Sequence, residues 1–378
     1  MIFLKKILLI LVLFVIIVIS ICIYFICDFT YEFDKENNTE INKTEEVDKI
    51  SKIIENMTLE EKVGQMFMVR VPKEDAVTKV SKYHLGGFIM FGRDFDNKTK
   101  EEVINNIKAY QSASAIPLLI GVDEEGGTVN RISTNTNFRE TPFKSSQELY
   151  TEGGFDLIYE DTIEKANFLK ELGINVNFAP VVDVSTNSDD YIYKRSFGQD
   201  AILTSNYAEV VVTAMKKANI ASVLKHFPGY GSNADTHSGI SIDNRTLDDF
   251  EKKDFLPFES GIKAGADIIL VSHNIIRDID SDNPASLSKK IHEILRDDLG
   301  FKGVIITDDL YMDAISNYYD SSVAVKAILA GNDLICTTDF ENQIPEVIKA
   351  VESGVIDINQ INESVRRILN LKEELNLL

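Results

Sequence analysis

The chain has 378 residues, 44% of them hydrophobic and 26% charged, with a formal net charge of −21. That balance supports a sizeable core and excludes a disordered chain. The acidic excess, without any basic stripe, excludes nucleic acid as a partner. Of the three cysteines, Cys22 and Cys27 lie in an apolar N-terminal run and Cys336 lies far from both, so no intramolecular disulfide framework is expected.

After Lys5 and Lys6, residues Ile7 to Cys27 are apolar apart from Ser20. As a helix this run reaches about 30 Å, one hydrocarbon core. It is longer than the apolar region of a cleavable signal and lacks a small-x-small cleavage site, so residues 1–27 are expected to be an uncleaved transmembrane anchor. Lysines precede the span and Asp28, Glu32, Asp34 and Glu36 follow it. The positive-inside rule then leaves the N-terminus in the cytoplasm and the remainder outside, a single-pass protein of the cell membrane, or a secreted one if the segment is cleaved. Residues 28–46 are polar and without period, a tether to a folded domain spanning 47–378.

The folded part opens with two short helical patterns, VDKISKIIENM and TLEEKVGQM, the second begun by Thr58 with Glu61 as a capping box. Eight short apolar runs follow: 66–71, 86–91, 117–123, 176–184, 221–227, 266–273, 303–309 and 332–338. Helical patterns at 100–111, 163–173 and 345–354 fill several intervals, and a last helix is expected over 361–376. Alternating strands and helices give an α/β fold with a parallel sheet. Eight repeats point to a single (β/α)₈ TIM-type barrel; a doubly wound open sheet is the alternative, but the first strand lacks a GxGxxG turn.

In a barrel, chemistry gathers at the carboxyl ends of the strands. There the sequence places Asp123, Asp183, Lys225 with His226, His273 and Asp308. Asp308 and Asp309 close the seventh run, where one carboxylate serves as a nucleophile or merely caps the next helix. The Gly-, Asn- and Asp-rich loop after the fifth run holds Asp235 and His237 two residues apart. An imidazole oriented by a carboxylate is a suitable proton donor and acceptor near neutral pH. Lys225 and His226 suggest hydroxyl recognition, or for the lysine a structural pair with Asp123 or Asp183. Gly126 and Gly127 permit a tight turn that brings Arg131 back towards the barrel mouth. A metal-dependent hydrolase using His226, His237 and His273 is weaker, because neither HxH nor HExxH spacing occurs.

The segments KHFPGYG with ADTH, VDEEGGTVNR, NFAPVVDV, KRSFG and ITDDLYM, in this order, resemble glycoside hydrolase family 3, in its bacterial β-N-acetylglucosaminidase (β-N-acetylhexosaminidase) branch. The resemblance runs from about residue 58 to the C-terminus. It implies a retaining exo-hydrolase of terminal β-linked N-acetylglucosamine, on a (β/α)₈ domain, with no metal or organic cofactor. It also implies Asp308 as nucleophile, Asp235 with His237 as the acid/base dyad, and Asp123, Arg131, Arg195, Lys225 and His226 as sugar-binding positions. Thr128 stands where many relatives have Arg, and Tyr230 where many have His. With the domain outside the cell, peptidoglycan fragments (muropeptides) are the expected substrate. Phosphorolysis in place of hydrolysis, β-glucosidase activity, and a catalytically silent wall-binding module tethered to the membrane remain the alternatives.

Overall fold

The computed structural model describes residues 49–233, 239, 241–312, 315 and 322–378. The anchor and tether expected over 1–46, and the Asp235–His237 pair, lie outside the described residues. Among the described residues no helix is long and apolar enough to cross a membrane. The chain divides into two compact units at Asn56. Of the first, residues 49–56 are helical; the second, Met57–Leu378, carries the sheet.

All eight apolar runs become strands: β1 (Phe67–Arg70), β2 (Gly87–Met90), β3 (Leu119–Val122), β4 (Val176–Asn177), β5 (Ala221–Phe227), β6 (Ile268–Val271), β7 (Val304–Thr307) and β8 (Ile335–Thr337). They form one parallel sheet in the order β8-β1-β2-β3-β4-β5-β6-β7. The remaining interface, between β7 and β8, is a single parallel bridge from Ile306 to Leu334, reinforced by Thr307 N–H donating to the Leu334 carbonyl at 3.2 Å. The result is a nearly closed eight-stranded barrel, in agreement with the alternation of strand and helix patterns and against the open sheet. Near-continuous apolar strands suit this sheet because helices cover its outer face.

The helices begin where the sequence provides side-chain oxygens. Thr58 caps α1 (Leu59–Gln65) and Thr99 caps α3 (Lys100–Ala113), each in a reciprocal box with the Glu three residues on. Between them lies α2 (Ala76–Tyr83). The helix expected at 163–173 is the second half of a longer one, α4 (Ser146–Glu171), which bends at Gly154. After it come α5 (Ala201–Ala218), α6 (Phe255–Ala264), α7 (Lys289–Glu293), α8 (Val323–Ala330), α9 (Phe340–Glu352) and α10 (Ile358–Glu374). Outward side chains of β5 meet α6: Phe227 stacks on Phe255 at 5.5 Å and edges onto Phe258 at 5.1 Å. Inside the barrel, a Cβ on Gly121 would sit 2.5 Å from Met68 Cε and 2.6 Å from Phe178 Cε2. Met68 therefore points inward, and Arg70, two residues on, shares that face.

At the outer wall, α10 buries Lys372 completely, and its Nζ donates to Gln65 Oε1 at 2.6 Å. Burial pushes the Lys372 pKa down to about 7. The unfolded chain, with an ordinary lysine, then binds more protons than the native state above pH 7, so stability from this group rises with pH from about 7 upward. In urea titrations at pH 6.5 and 9, the wild type should gain stability relative to Lys372→Met on going to the higher pH; a gap that stays constant would show that the folded state imposes no such penalty.

Candidate active site

At the carboxyl ends of the strands a cavity of about 410 Å³ is lined by Arg70, Asp123, Arg131, Arg195, Lys225, His226 and Asp308, among others. A second cavity, of about 480 Å³, opens at the opposite end beside Asp267, Gly303 and Val304. It holds none of the sequence-derived site residues.

Lys225 organises the first cavity. A regular strand sends neighbouring side chains to opposite faces, but the pairing of β5 with β6 shifts between Leu224 and Phe227. Lys225 and His226 both reach the interior as a result. Lys225 is 2% exposed, and its Nζ lies 2.7 Å from Asp123 Oδ1 and 2.6 Å from Glu125 Oε1. Of the two partners considered for Lys225 the structure thus selects Asp123, and it adds Glu125. Arg195 closes the network by gripping Glu125 with two bonds, Nε to Oε2 at 3.1 Å and Nη2 to Oε1 at 2.8 Å. Arg131 stands 3.5 Å from Asp123 Oδ2. Burial alone would raise the Glu125 pKa, but Lys225 and Arg195 outweigh it and hold the carboxyl well below its usual range. Burial works against the Arg195 charge as well, and Glu125 more than offsets it.

Asp183 pairs with His226 instead. Its Oδ2 lies 2.7 Å from His226 Nδ1, while Oδ1 accepts the Tyr230 N–H at 2.7 Å. Arg195 Nη2 lies 3.3 Å from His226 Nε2. A guanidinium only donates, so Nε2 accepts and the ring proton sits on Nδ1, facing Asp183. Tyr230, one of the two departures from the family pattern, is buried with its ring edge-on to His226 at 5.4 Å. Thr128, the other, lies exposed on its turn. His273 has both ring nitrogens engaged, Nδ1 by Ser286 Oγ at 2.7 Å and Nε2 by the Asp309 carbonyl at 3.1 Å. The ring nitrogens of the two described histidines in the metal-dependent reading therefore already have protein partners.

Asp308 follows the last residue of β7, its N–H donating to the Val271 carbonyl at 3.0 Å. The Asp308 side chain lines the cavity, its Oδ1 accepting the Asp309 N–H at 2.9 Å, while Asp309 Oδ1 accepts the Tyr311 N–H at 2.9 Å. The loop with Asp235 and His237 is described only at its two ends, and Arg245 ties these together. Arg245 donates to the Gly229 carbonyl at 3.0 Å, to Asp243 at 2.7 Å and to Asp254 at 2.7 Å. Gly229, at φ 128°, has no room for a side chain, because a Cβ would lie 2.5 Å from Asp254 Oδ1.

Sequence reasoning passed over Glu124, Glu125 and Arg245. Glu124 is fully buried and accepts the backbone N–H groups of Arg131, Ile132 and Ser133 at 2.8 to 3.0 Å, fixing the return of the Gly126–Gly127 turn that carries Arg131. The available signal was two further carboxylates directly after a strand-end Asp. Glu125→Gln leaves Lys225 and Arg195 sharing one fewer negative charge in a buried setting, and should cost about 3 kcal/mol of stability. Because the folded pKa of Glu125 is depressed, its contribution is present above the unfolded carboxylate pKa and is lost as pH falls through the folded value. The gap between wild type and variant in denaturant unfolding should hold from pH 7 to about pH 4.5 and shrink only in stronger acid.

The chain matches the model of the glycosyl hydrolase family 3 N terminal domain over residues 58–371. It is 31% identical over 327 residues to beta-hexosaminidase A of Pseudoalteromonas piscicida, covering 78% of this chain and 54% of that protein, so it spans about half the length of that relative. To beta-hexosaminidase LpqI of Mycobacterium tuberculosis it is 30% identical over 325 residues, 82% of each chain. Among solved structures, a glycoside hydrolase family 3 beta-N-acetylglucosaminidase from Paenibacillus sp. str. FPU-7 superposes with a TM-score of 0.79 at 32% identity, over 85% of this chain and 63% of that one. The structure of M. tuberculosis LpqI gives 0.78 at 27%, over 85% and 96%. With the family model covering most of the chain and the barrel superposing on these structures, the chain belongs to glycoside hydrolase family 3, a family of glycoside-cleaving enzymes, in its bacterial β-N-acetylglucosaminidase branch.

Proposed function

We propose that this protein removes terminal β-linked N-acetylglucosamine with retention of configuration. The observation that carries this reading is the pairing, within one cavity, of the Asp308 carboxylate at the end of β7 with the Lys225, Asp123 and Arg195 network at the ends of β3 to β5. The network offers fixed donors and acceptors to sugar hydroxyls, and a carboxylate held on a strand end is a rigid attacking group.

In the first step Asp308 attacks the anomeric carbon while His237 protonates the leaving oxygen. In the second, His237 takes a proton from water, whose oxygen displaces the Asp308 carboxylate. Asp235, two residues away in sequence, orients the imidazole. This role for the dyad rests on its motif and on the Arg245 clamp that fixes both described ends of its loop. Asp123, Arg131, Arg195, Lys225 and His226 bind the sugar. Residues 1–27 anchor the protein, residues 28–46 tether it, and the domain over 47–378 faces outward, where peptidoglycan fragments supply the natural substrate. The apolar span, its flanking lysines and the acidic residues beyond it support this placement.

The test is hydrolysis of an aryl β-N-acetylglucosaminide and of the matching glucoside by the full chain. Turnover of the acetamido sugar should exceed that of the glucoside. It should vanish in Asp308→Ala and fall by about 10²-fold or more in His237→Ala. Turnover of neither sugar by the wild type would favour a carbohydrate-binding module over an enzyme.

A further inference from the structure

Arg70 lies at the carboxyl end of β1, on the inward face, and lines the same cavity as Asp308. Its guanidinium rests on the Phe91 ring, 4.3 Å from the centroid, and Arg131 lies 5.4 Å from the same centroid. The Arg70 Nε is buried without a hydrogen-bond partner. The acidic groups of the network are matched to other cations: Asp123 to Lys225 and Arg131, and Glu125 to Lys225 and Arg195. Asp94, close enough to feel the Arg70 charge, accepts the Phe91 N–H at 2.8 Å and stands 3.6 Å from Arg93. Asp308 and Asp309 share the cavity, yet among the described residues Arg70 enters no salt bridge.

A permanent cation that lines a ligand cavity and has no carboxylate partner among the described residues is a recognition element for an anion. Terminal N-acetylglucosamine is uncharged, so the sugar attacked by Asp308 brings no such anion. In a retaining reaction the leaving group departs from, and the acceptor arrives at, the same face of the anomeric carbon. We infer that Arg70 binds an oxyanion on that leaving-group side. The oxyanion is either a carboxylate on the leaving sugar, such as the lactyl group of a peptidoglycan fragment, or inorganic phosphate acting in place of water. In the phosphate case a phosphate oxygen bonds to the anomeric carbon as the bond to Asp308 breaks, the carboxylate keeps the electron pair, and a sugar 1-phosphate leaves. The inference rests on the proposed glycosidase reading and adds a selectivity to it.

The decisive comparison uses β-1,4-linked N-acetylglucosaminyl-N-acetylmuramic acid, its methyl ester, and an aryl N-acetylglucosaminide with and without inorganic phosphate. If the anion is the sugar carboxylate, wild-type kcat/KM should favour the acid over the ester by about tenfold or more. Arg70→Gln should bring that ratio close to one, and Arg70→Lys should keep part of it. If the anion is phosphate, the wild type should release N-acetylglucosamine 1-phosphate and Arg70→Gln should release only free sugar. Equal wild-type rates on acid and ester with no sugar phosphate formed, or a preference that survives Arg70→Gln, would overturn the inference. Binding of the acid and the ester to Asp308→Ala, with and without Arg70→Gln, separates this from the activity reading. An Arg70-dependent preference for the acid in binding, beside a wild type that cleaves nothing, would sink the hydrolase alone; no such preference in binding or turnover, and no sugar phosphate, would sink the Arg70 assignment.

Discussion

The site is organised around one buried ammonium. Lys225 sits almost wholly out of water, and such a charge persists only if carboxylates are brought to it. Asp123 and Glu125 meet that demand from the turn after β3, and Arg195 balances the second of them. Two barrel strands, β3 and β5, and the loop after β4 are thereby held in one arrangement at the mouth. The second carboxylate frees Asp123 to share its other oxygen with Arg131. A network with several cations and anions is stable as a set and costly to break at any single member, which makes it a rigid floor for a polar ligand.

Two parts of the structure contribute to the proposed chemistry. Asp308, Asp123 and Lys225 stand at strand ends, where the barrel's backbone hydrogen bonds fix their positions. The proposed proton-transfer pair is carried instead by a loop, and Arg245 joins both ends of that loop to Asp243, Asp254 and the Gly229 carbonyl. His226 bridges the parts: it is held by Asp183, touched by Arg195 and packed against Tyr230 from the first turn of that same loop.

Much of this was legible in the sequence because barrel strands are local signals. Runs such as FMVR, GFIM and VIIT are short, apolar and bounded by polar residues, and all eight expected runs became strands. Strand ends also drew attention to Asp123, Lys225, His226 and Asp308, which the fold brings to one cavity. What escaped was set by distant pairing. Glu125 reads as an ordinary acidic turn residue until Arg195 and Lys225, 70 and 100 positions away, are folded onto it. Arg70 reads as the polar end of a strand until Phe91 and the cavity surround it. The run 176–184 gives only a two-residue strand, because the chain leaves the ladder after Asn177 and returns to β5 through a lone bridge at Val181. The start of α4 escaped because Gly153 and Gly154 interrupt its periodicity, and the helix in fact bends there.

The proposed mechanism turns on Asp308, in the same cavity as the Lys225 network, forming a covalent bond to the sugar. The most direct measurement is peptide mapping by mass spectrometry after the full chain reacts with a slow 5-fluoro N-acetylglucosaminyl fluoride. The account predicts a single sugar adduct on the peptide ending β7, carried by Asp308 and absent from Asp308→Ala. An adduct on another carboxylate, or turnover of a natural glycan with inversion and no adduct at all, would contradict it.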